Sequence, residues 1–155
     1  MIKTAILTVS STRTKDNDES GKILKENLPR NFQVMEYDIA LDDEKAIIQK
    51  LKFYSNVKKV NLILTNGGTG LGESDITPEA TLKVADKLIP GISELIRSEG
   101  IKKTKRAALS RGISAIREKT LIINLPGSPK GVKESLEAII DILPHAIKMI
   151  NGGKH

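Results

Sequence analysis

Apolar and polar positions alternate along this chain in two periods, and the periods change over about every ten to fifteen residues, as in alternating strands and helices. Ile2–Val9 reads as a buried strand and 20–28 as a short helix stopped by Pro29. Residues 32–39 read as a second strand, and 44–54 as a helix with Ile47, Ile48, Leu51 and Tyr54 on one face. A third strand covers 60–65. Helices over 78–87 and 93–99 flank a break at Pro90 and Gly91, and a short strand pair over 107–117 turns near Glu118 and Lys119 into the strand Thr120–Leu125. From Lys130 onward Val132, Leu136, Ile139, Ile140 and Leu143 repeat at helical spacing, and Pro144 marks a break before 145–150.

This order predicts an α/β three-layer sandwich: a mainly parallel central sheet, helices on both faces and a small β-hairpin extension. Neither an internal repeat nor a linker interrupts it, so one domain is expected over residues 1–155. A parallel sheet of this kind places its ligand site at the C-terminal ends of its strands, near a topological switch point.

Two strands run into glycine-containing loops that each open a helix with a hydroxyl residue followed by proline. The first runs Asn66-Gly67-Gly68-Thr69-Gly70-Leu71-Gly72-Glu73-Ser74-Asp75-Ile76, then Thr77-Pro78-Glu79-Ala80; the second is Asn124-Leu125-Pro126-Gly127-Ser128-Pro129. Thr77 and Ser128 are candidate N-caps, and Pro78 and Pro129 suit the first helical position, where no backbone donor is lost. Free N–H groups and the positive end of the helix dipole favour an anion at each start. Two such loops imply two phosphate-bearing ligands, or one ligand with two phosphates. On local chemistry alone, a plain strand-to-helix turn accounts for the glycines equally well.

Neither of two familiar phosphate motifs fits. Glu73 stands where a Walker A loop needs its lysine, and would repel the phosphates the lysine binds. In Gly68-Thr69-Gly70-Leu71-Gly72 the last glycine comes one residue early for a dinucleotide fingerprint, and the loop follows the third strand instead of the first.

Composition then narrows the chemistry. Zero cysteines exclude a thiol nucleophile, disulfides and cysteine-bound metal, and two histidines argue against a histidine-built site, so a metal here would be a hard cation held by oxygen. Asp75, with Asp42 and Asp43 at the end of the second strand, could hold magnesium on phosphate oxygens, or could serve only in turns and caps. The formal net charge of +6 suits an anionic partner. Part of that excess lies between Arg97 and Arg106, with Lys102, Lys103 and Lys105, either as a solvated face or as a ligand-facing stretch. None of Phe32, Tyr37, Phe53 and Tyr54 lies there, so no base-stacking platform for nucleic acid is expected. No apolar run approaches the roughly 20 residues that span a bilayer, and the N-terminus lacks a signal-peptide pattern, so a cytoplasmic protein without a membrane partner is expected.

The stretch Thr65-Asn66-Gly67-Gly68-Thr69-Gly70 with Asp75-Ile76-Thr77-Pro78-Glu79-Ala80-Thr81 resembles the first signature of the molybdopterin-binding proteins: bacterial MogA and MoaB and the G domains of gephyrin and its plant relatives. Leu109-Ser110-Arg111-Gly112, Ile116-Arg117 and the run from Leu121 to Gly131 resemble the second, and the likeness extends from about Ile2 to about Ile150. The resemblance implies molybdenum cofactor biosynthesis, with Mg2+-dependent transfer of the adenylyl group of ATP to molybdopterin and release of pyrophosphate. It implies that Gly67, Gly68, Thr69 and Gly70 line the nucleotide-phosphate loop, that Asp75 acts through magnesium, and that Asp43 is the second acidic position. Asn124, Pro126, Gly127, Ser128, Pro129 and Lys130 correspond to the molybdopterin segment, and Ser20, Gly21, Ser110 and Arg111 to positions around the pocket. For Arg111 a structural ion pair is the alternative.

Family members usually carry an arginine immediately before that aspartate, whereas Ser74 stands here. The loss could weaken nucleotide binding or pass the role to Lys102, Lys103 or Arg106, so a MoaB-type molybdopterin-binding protein with weak or no transferase activity is the alternative. The resemblance also implies a homotrimer and a MoeA-like molybdate-insertion partner.

Overall fold

The computed structural model describes residues 1–154. Six strands form one sheet in the order β2-β1-β3-β6-β5-β4. They are β1 (Ile2–Val9), β2 (Phe32–Ala40), β3 (Leu62–Asn66), β4 (Lys87–Leu88), β5 (Ser114–Arg117) and β6 (Thr120–Leu125). The first four strands in that order are mutually parallel, while β5 runs antiparallel to both β6 and β4. The predicted hairpin is therefore β5–β6; it continues the main sheet, and β4 forms the edge beyond it.

Alternation within the strands sorts the core into two layers. On one face Ile6, Leu62, Leu64, Leu121, Ile123 and Leu125 meet α1 (Glu19–Asn27), α4 (Pro90–Ile101), α5 (Pro129–Ile139) and α6 (Leu143–Ile150). On the other, Ala5, Leu7, Val9, Ile63 and Ile122 meet α2 (Glu44–Lys52) and α3 (Thr77–Val84). Neighbouring residues of one strand thus serve opposite layers, as the pleat requires. Because both faces are covered, the central strands are apolar almost throughout.

Four expectations are corrected. The helix predicted over 78–87 ends at Val84, because the next residues find β-partners: Asp86 donates to Ile116 O at 2.8 Å and Ile89 donates to Ser114 O at 2.8 Å. Pro90 and Gly91 do not break a helix but begin α4, where a proline nitrogen has no hydrogen bond to lose. Residues 105–109 form a 3₁₀ turn instead of a strand, started by Thr104, whose hydroxyl accepts from Arg106 N at 3.4 Å. The helix of 44–54 yields to a π turn over Phe53–Val57, in which Lys58 N donates to Phe53 O at 3.0 Å. That turn buries Tyr54 completely and lets its hydroxyl donate to Asp38 at 2.6 Å. Burial, then the bond to Asp38, drives the Tyr54 phenol well above its ordinary pKa of 10.0.

Candidate active site

From β1 the chain leaves through α1 on one face, and from β3 through α3 on the other. The C-terminal ends of these neighbouring strands are therefore the switch point of the sheet, where connecting segments part and leave a crevice. The loops after β1, β3 and β6 all open there.

The loop after β3 is bent at its root. Gly67 and Gly68 take φ of +94° and +69°. A β-carbon at Gly67 would strike Val9 O and one at Gly68 would strike Thr77 Oγ1, so the turn excludes side chains twice over. Thr77 is not the N-cap that its Thr-Pro sequence suggests. Helix α3 starts at Thr77 itself, after Ile76, and the Thr77 hydroxyl donates to Gly67 O at 2.9 Å. The hydroxyl ties the two ends of the loop together, and Thr77 N donates to Gly68 O at 3.1 Å.

Arg111 closes the loop from outside. Its backbone N–H donates to Thr69 O at 2.9 Å, and its side chain donates to Gly70 O at 2.8 Å, to Asp75 O at 2.7 Å and to both carboxylate oxygens of Glu79 at 2.8 and 3.0 Å. The bidentate bond holds the Glu79 carboxyl below its ordinary pKa of 4.5. The structure thus gives Arg111 the ion-pair role and makes it a clamp on the glycine loop. The loop's inward carbonyls are consumed, while the backbone N–H groups of Gly68, Thr69, Gly70 and Leu71 donate to no acceptor among the described residues. Consecutive free amides of this kind form an anion cradle.

Asp75 lies against that cradle. Its Oδ2 accepts from Gly72 N at 2.9 Å, and a β-carbon on Gly70 would stand 2.8 Å from the same oxygen. Oδ1 has no protein donor among the described residues, which leaves one carboxylate oxygen unengaged beside Gly70. Asp43, at the end of β2, caps α2 by accepting from Ala46 N at 3.0 Å, and Asp42 accepts from Ser11 Oγ at 2.8 Å. The sheet order puts β1 between the strands that lead to Asp43 and Asp75. Among the described residues no three acidic or histidine side chains gather as a metal cage. A donor set of one or two carboxylates fits a magnesium ion that arrives on phosphate oxygens and keeps water in its other positions.

The loop after β6 is short and its cap is as predicted. Ser128 Oγ accepts from Gly131 N at 3.0 Å, and Pro129 opens α5. A β-carbon on Gly127 would stand 3.2 Å from Gly67 Cα, and Gly67 N donates to Leu125 O at 3.2 Å, so the two glycine loops abut. Beside them a cavity of about 410 Å³ lies between α4 and α5, lined by Lys103, Arg106, Ser110, Pro126, Ser128 and Lys130 among others. Lys103 and Lys130 each stand 4.0 Å from Glu134. A larger, mainly apolar groove of about 690 Å³, at Ile89, Ile116 and Met149, lies away from this edge.

Other sequence candidates are internal supports. Asn124 is buried; its Nδ2 donates to Thr65 and Thr81 hydroxyls at 3.0 Å each, and its Oδ1 accepts from Ile113 N at 3.2 Å. Ser110 Oγ accepts weakly from Gly112 N at 3.4 Å, while Arg97 donates to the carbonyls of Ser110 and Gly112 at 3.3 and 2.8 Å. Ser20 is buried and donates to Gly127 O at 2.7 Å. Gly21 N donates to Asp18 at 3.2 Å, and a β-carbon there would collide with Asp18 and Tyr37.

Neither Asp18 nor Arg13 has a role assigned from the sequence. Asp18 is fully buried and also accepts from Thr8 Oγ1 at 2.6 Å and Tyr37 OH at 2.5 Å. Burial first, and the bond to Asp18 second, push the Tyr37 phenol above its ordinary 10.0. Asn66 Nδ2 donates to Thr8 Oγ1 at 2.9 Å, and the buried Asn66 Oδ1 has no partner among the described residues. A hydroxyl-rich strand end followed by Arg and Asp in a polar segment was the available signal, but it has no fixed spacing.

A family described as "Probable molybdopterin binding domain" matches residues 5–145. The molybdopterin adenylyltransferase of Helicobacter pylori (strain J99) is 39% identical over 156 residues, covering 97% of this chain and 89% of that protein. The molybdenum cofactor synthesis protein cinnamon of Drosophila melanogaster is 41% identical over 149 residues; 94% of this chain is covered, but only 25% of that protein's length. The crystal structure of the molybdopterin biosynthesis enzyme MoaB from Thermus thermophilus superposes with a TM-score of 0.91 at 44% identity, covering 98% of each chain.

Proposed function

Since this chain belongs to the molybdopterin-binding domain family, we propose that it is a molybdopterin adenylyltransferase of molybdenum cofactor biosynthesis. The observation that carries the reading is the contact between the two glycine loops: Gly127 lies against Gly67, and the longer loop has four consecutive amides, Gly68 to Leu71, that donate to no acceptor among the described residues. Two phosphate-bearing substrates can therefore meet over one edge of the sheet. In the proposed reaction a terminal phosphate oxygen of molybdopterin attacks the α-phosphorus of ATP. The new O–P bond forms as the bond to the β-phosphate oxygen breaks, and pyrophosphate leaves with that electron pair.

The protein's part is alignment and charge neutralisation, and no covalent nucleophile is needed. Gly67, Gly68, Thr69 and Gly70 form the nucleotide-phosphate cradle, while Arg111 holds its shape. Pro126, Ser128 and Lys130 line the cavity assigned here to molybdopterin, with Gly127 and Pro129 in the same loop, and Asn124 ties the end of β6 to Thr65 and Thr81 just before it. Asp75, with Asp43 as the second carboxylate, would hold magnesium, which when bound supplies charge neutralisation for the leaving pyrophosphate. The reading carries a cytoplasmic location and a homotrimer handing product to a molybdate-insertion protein. Light scattering at a monomer mass would remove the trimer. No helix among the described residues is long and apolar enough to cross a membrane.

A second reading is a MoaB-type protein that binds molybdopterin without turnover. The MoaB likeness favours it, as does Ser74, which leaves no cationic side chain directly before Asp75. Conversion of molybdopterin to its adenylylated form, followed by chromatography with ATP and Mg2+, separates the two. Magnesium-dependent product from the wild type supports the transferase. Bound pterin with no product supports the second reading.

A further inference from the structure

Arginines at this edge are used in different ways. Arg111 spends its guanidinium on two loop carbonyls and Glu79, and Arg97 faces the carbonyls of Ser110 and Gly112 in the cavity between α4 and α5. Arg13 stands at the junction of the two glycine loops. Its Nη1 donates to Gly127 O at 3.2 Å and to Ser20 Oγ at 3.4 Å, and Gly127 is the residue that abuts Gly67. No acceptor among the described residues takes its Nε or Nη2 donors, and the side chain remains 33% exposed.

That placement is built from several sides. Ser10 Oγ accepts from Thr12 N at 3.2 Å and from Arg13 N at 3.1 Å, fixing the turn that leaves β1. The buried Asp18 carboxylate lies 3.8 Å from Arg13 Nη1, while its oxygens take donors from Thr8, Tyr37 and Gly21. Asp18 therefore orients the guanidinium without occupying its outer edge. The planar fork presents the remaining donors together, within a few ångströms of the anchored nitrogen, a shape suited to two oxygens of one phosphoryl group. The amides of Gly68 through Leu71, which donate to no acceptor among the described residues, follow Gly67 in the chain, and Gly67 abuts Gly127.

We propose that Arg13 grips a phosphoryl group of the substrates where the two glycine loops meet, as the binding cation of the site. This deepens the adenylyltransferase reading and rests on it. The shared chemistry is a phosphoryl oxygen pair, carried by either ATP or the molybdopterin monophosphate.

The test titrates inorganic pyrophosphate calorimetrically into wild type, Arg13→Ala, Arg13→Lys and the exposed control Arg30→Ala, with melting temperatures measured alongside. Charge-assisted hydrogen bonds of this kind correspond to about a 10–100-fold loss of affinity in Arg13→Ala. Arg13→Lys is expected to be intermediate at wild-type melting temperature, because lysine keeps the charge but loses the fork, and Arg30→Ala should bind as wild type. Steady-state kinetics then separates the sources: a raised KM for ATP places the group on the nucleotide, and a raised KM for molybdopterin places it on the pterin. Wild-type pyrophosphate affinity together with unchanged KM for ATP and molybdopterin in both Arg13 variants, or losses that merely follow a fall in melting temperature, overturn the inference while leaving wild-type turnover intact. A wild type that binds no pyrophosphate overturns both this inference and the nucleotide reading.

Discussion

The loops after β3 and β6 look alike in sequence and work differently in the fold. Each follows a buried strand, contains glycine and enters a helix through a hydroxyl residue and proline. In the short loop, Ser128 caps α5 by accepting from Gly131 N. In the long one, Thr77 sits inside α3 and donates to Gly67 O. The difference is one of slack. A loop of residues 126–128 has no freedom to collapse, so its hydroxyl serves the helix. The loop 67–76 must be fastened across its own ends, and Thr77, Arg111 and Asp75 do so from three directions. A local motif specifies where a helix begins, and the surroundings decide what the motif's hydroxyl bonds to.

The largest expected effect is on chemistry at the long loop. Asp75→Asn should lower magnesium-dependent turnover by about 100-fold or more with melting unchanged, since only charge at the loop mouth is lost. Unchanged turnover would remove the magnesium role of Asp75. Gly68→Ala comes next: its φ of +69° and the Thr77 hydroxyl in the way of a β-carbon predict destabilisation of about 1–3 kcal/mol by chemical denaturation. An equal cost at Gly127, where φ is not positive and the nearest atom stands at 3.2 Å, would erase the contrast between the loops.

Arg111→Met should free the carbonyls of Gly70 and Asp75, raising KM for ATP by about tenfold with little change in molybdopterin binding. The same clamp has a pH signature. Glu79 is depressed in the folded protein, so its contribution is complete above its ordinary 4.5 and disappears as pH falls through the lower folded value. Acid titration of stability should therefore show a component that Glu79→Gln removes; its persistence in that variant would place the component elsewhere. The smallest effect belongs to the short loop. Ser128→Ala should cost about 1 kcal/mol of stability, as ordinary cap removal does. Thr77→Ser, which keeps the hydroxyl donor, should stay closer to wild type than Thr77→Val, as read by hydrogen exchange within the loop.

Much of the left half of the sheet was legible. β1 ended where expected, and β2 and α2 lay within a few residues of their predicted bounds. There, apolar periodicity and local chemistry agree. Misreadings gathered between 85 and 113, where β4 is a two-residue strand whose existence depends on β5, and where Pro90 starts a helix although Pro-Gly reads as a break. The glycine turn at Gly67 and Gly68 and the Ser128 cap were legible in the chain, because turns and caps leave local signatures. Arg13 was not, because nothing in a polar segment after β1 announces a partner at Gly127, more than a hundred positions away.

The amino-acid order by itself determined the alternating elements, the parallel core, the two glycine loops and the aspartate within one of them. These follow from hydrophobic period, steric limits at glycine and proline, and short-range hydrogen bonding, all of which act within a few residues. Tertiary structure alone decided that Thr77 ties a loop, that Arg111 closes it, that Asn124 supports the sheet and that Arg13 stands open at the junction. A polar side chain takes whichever partner the folded backbone brings within about 3 Å, and only the packed sheet determines which partner that is.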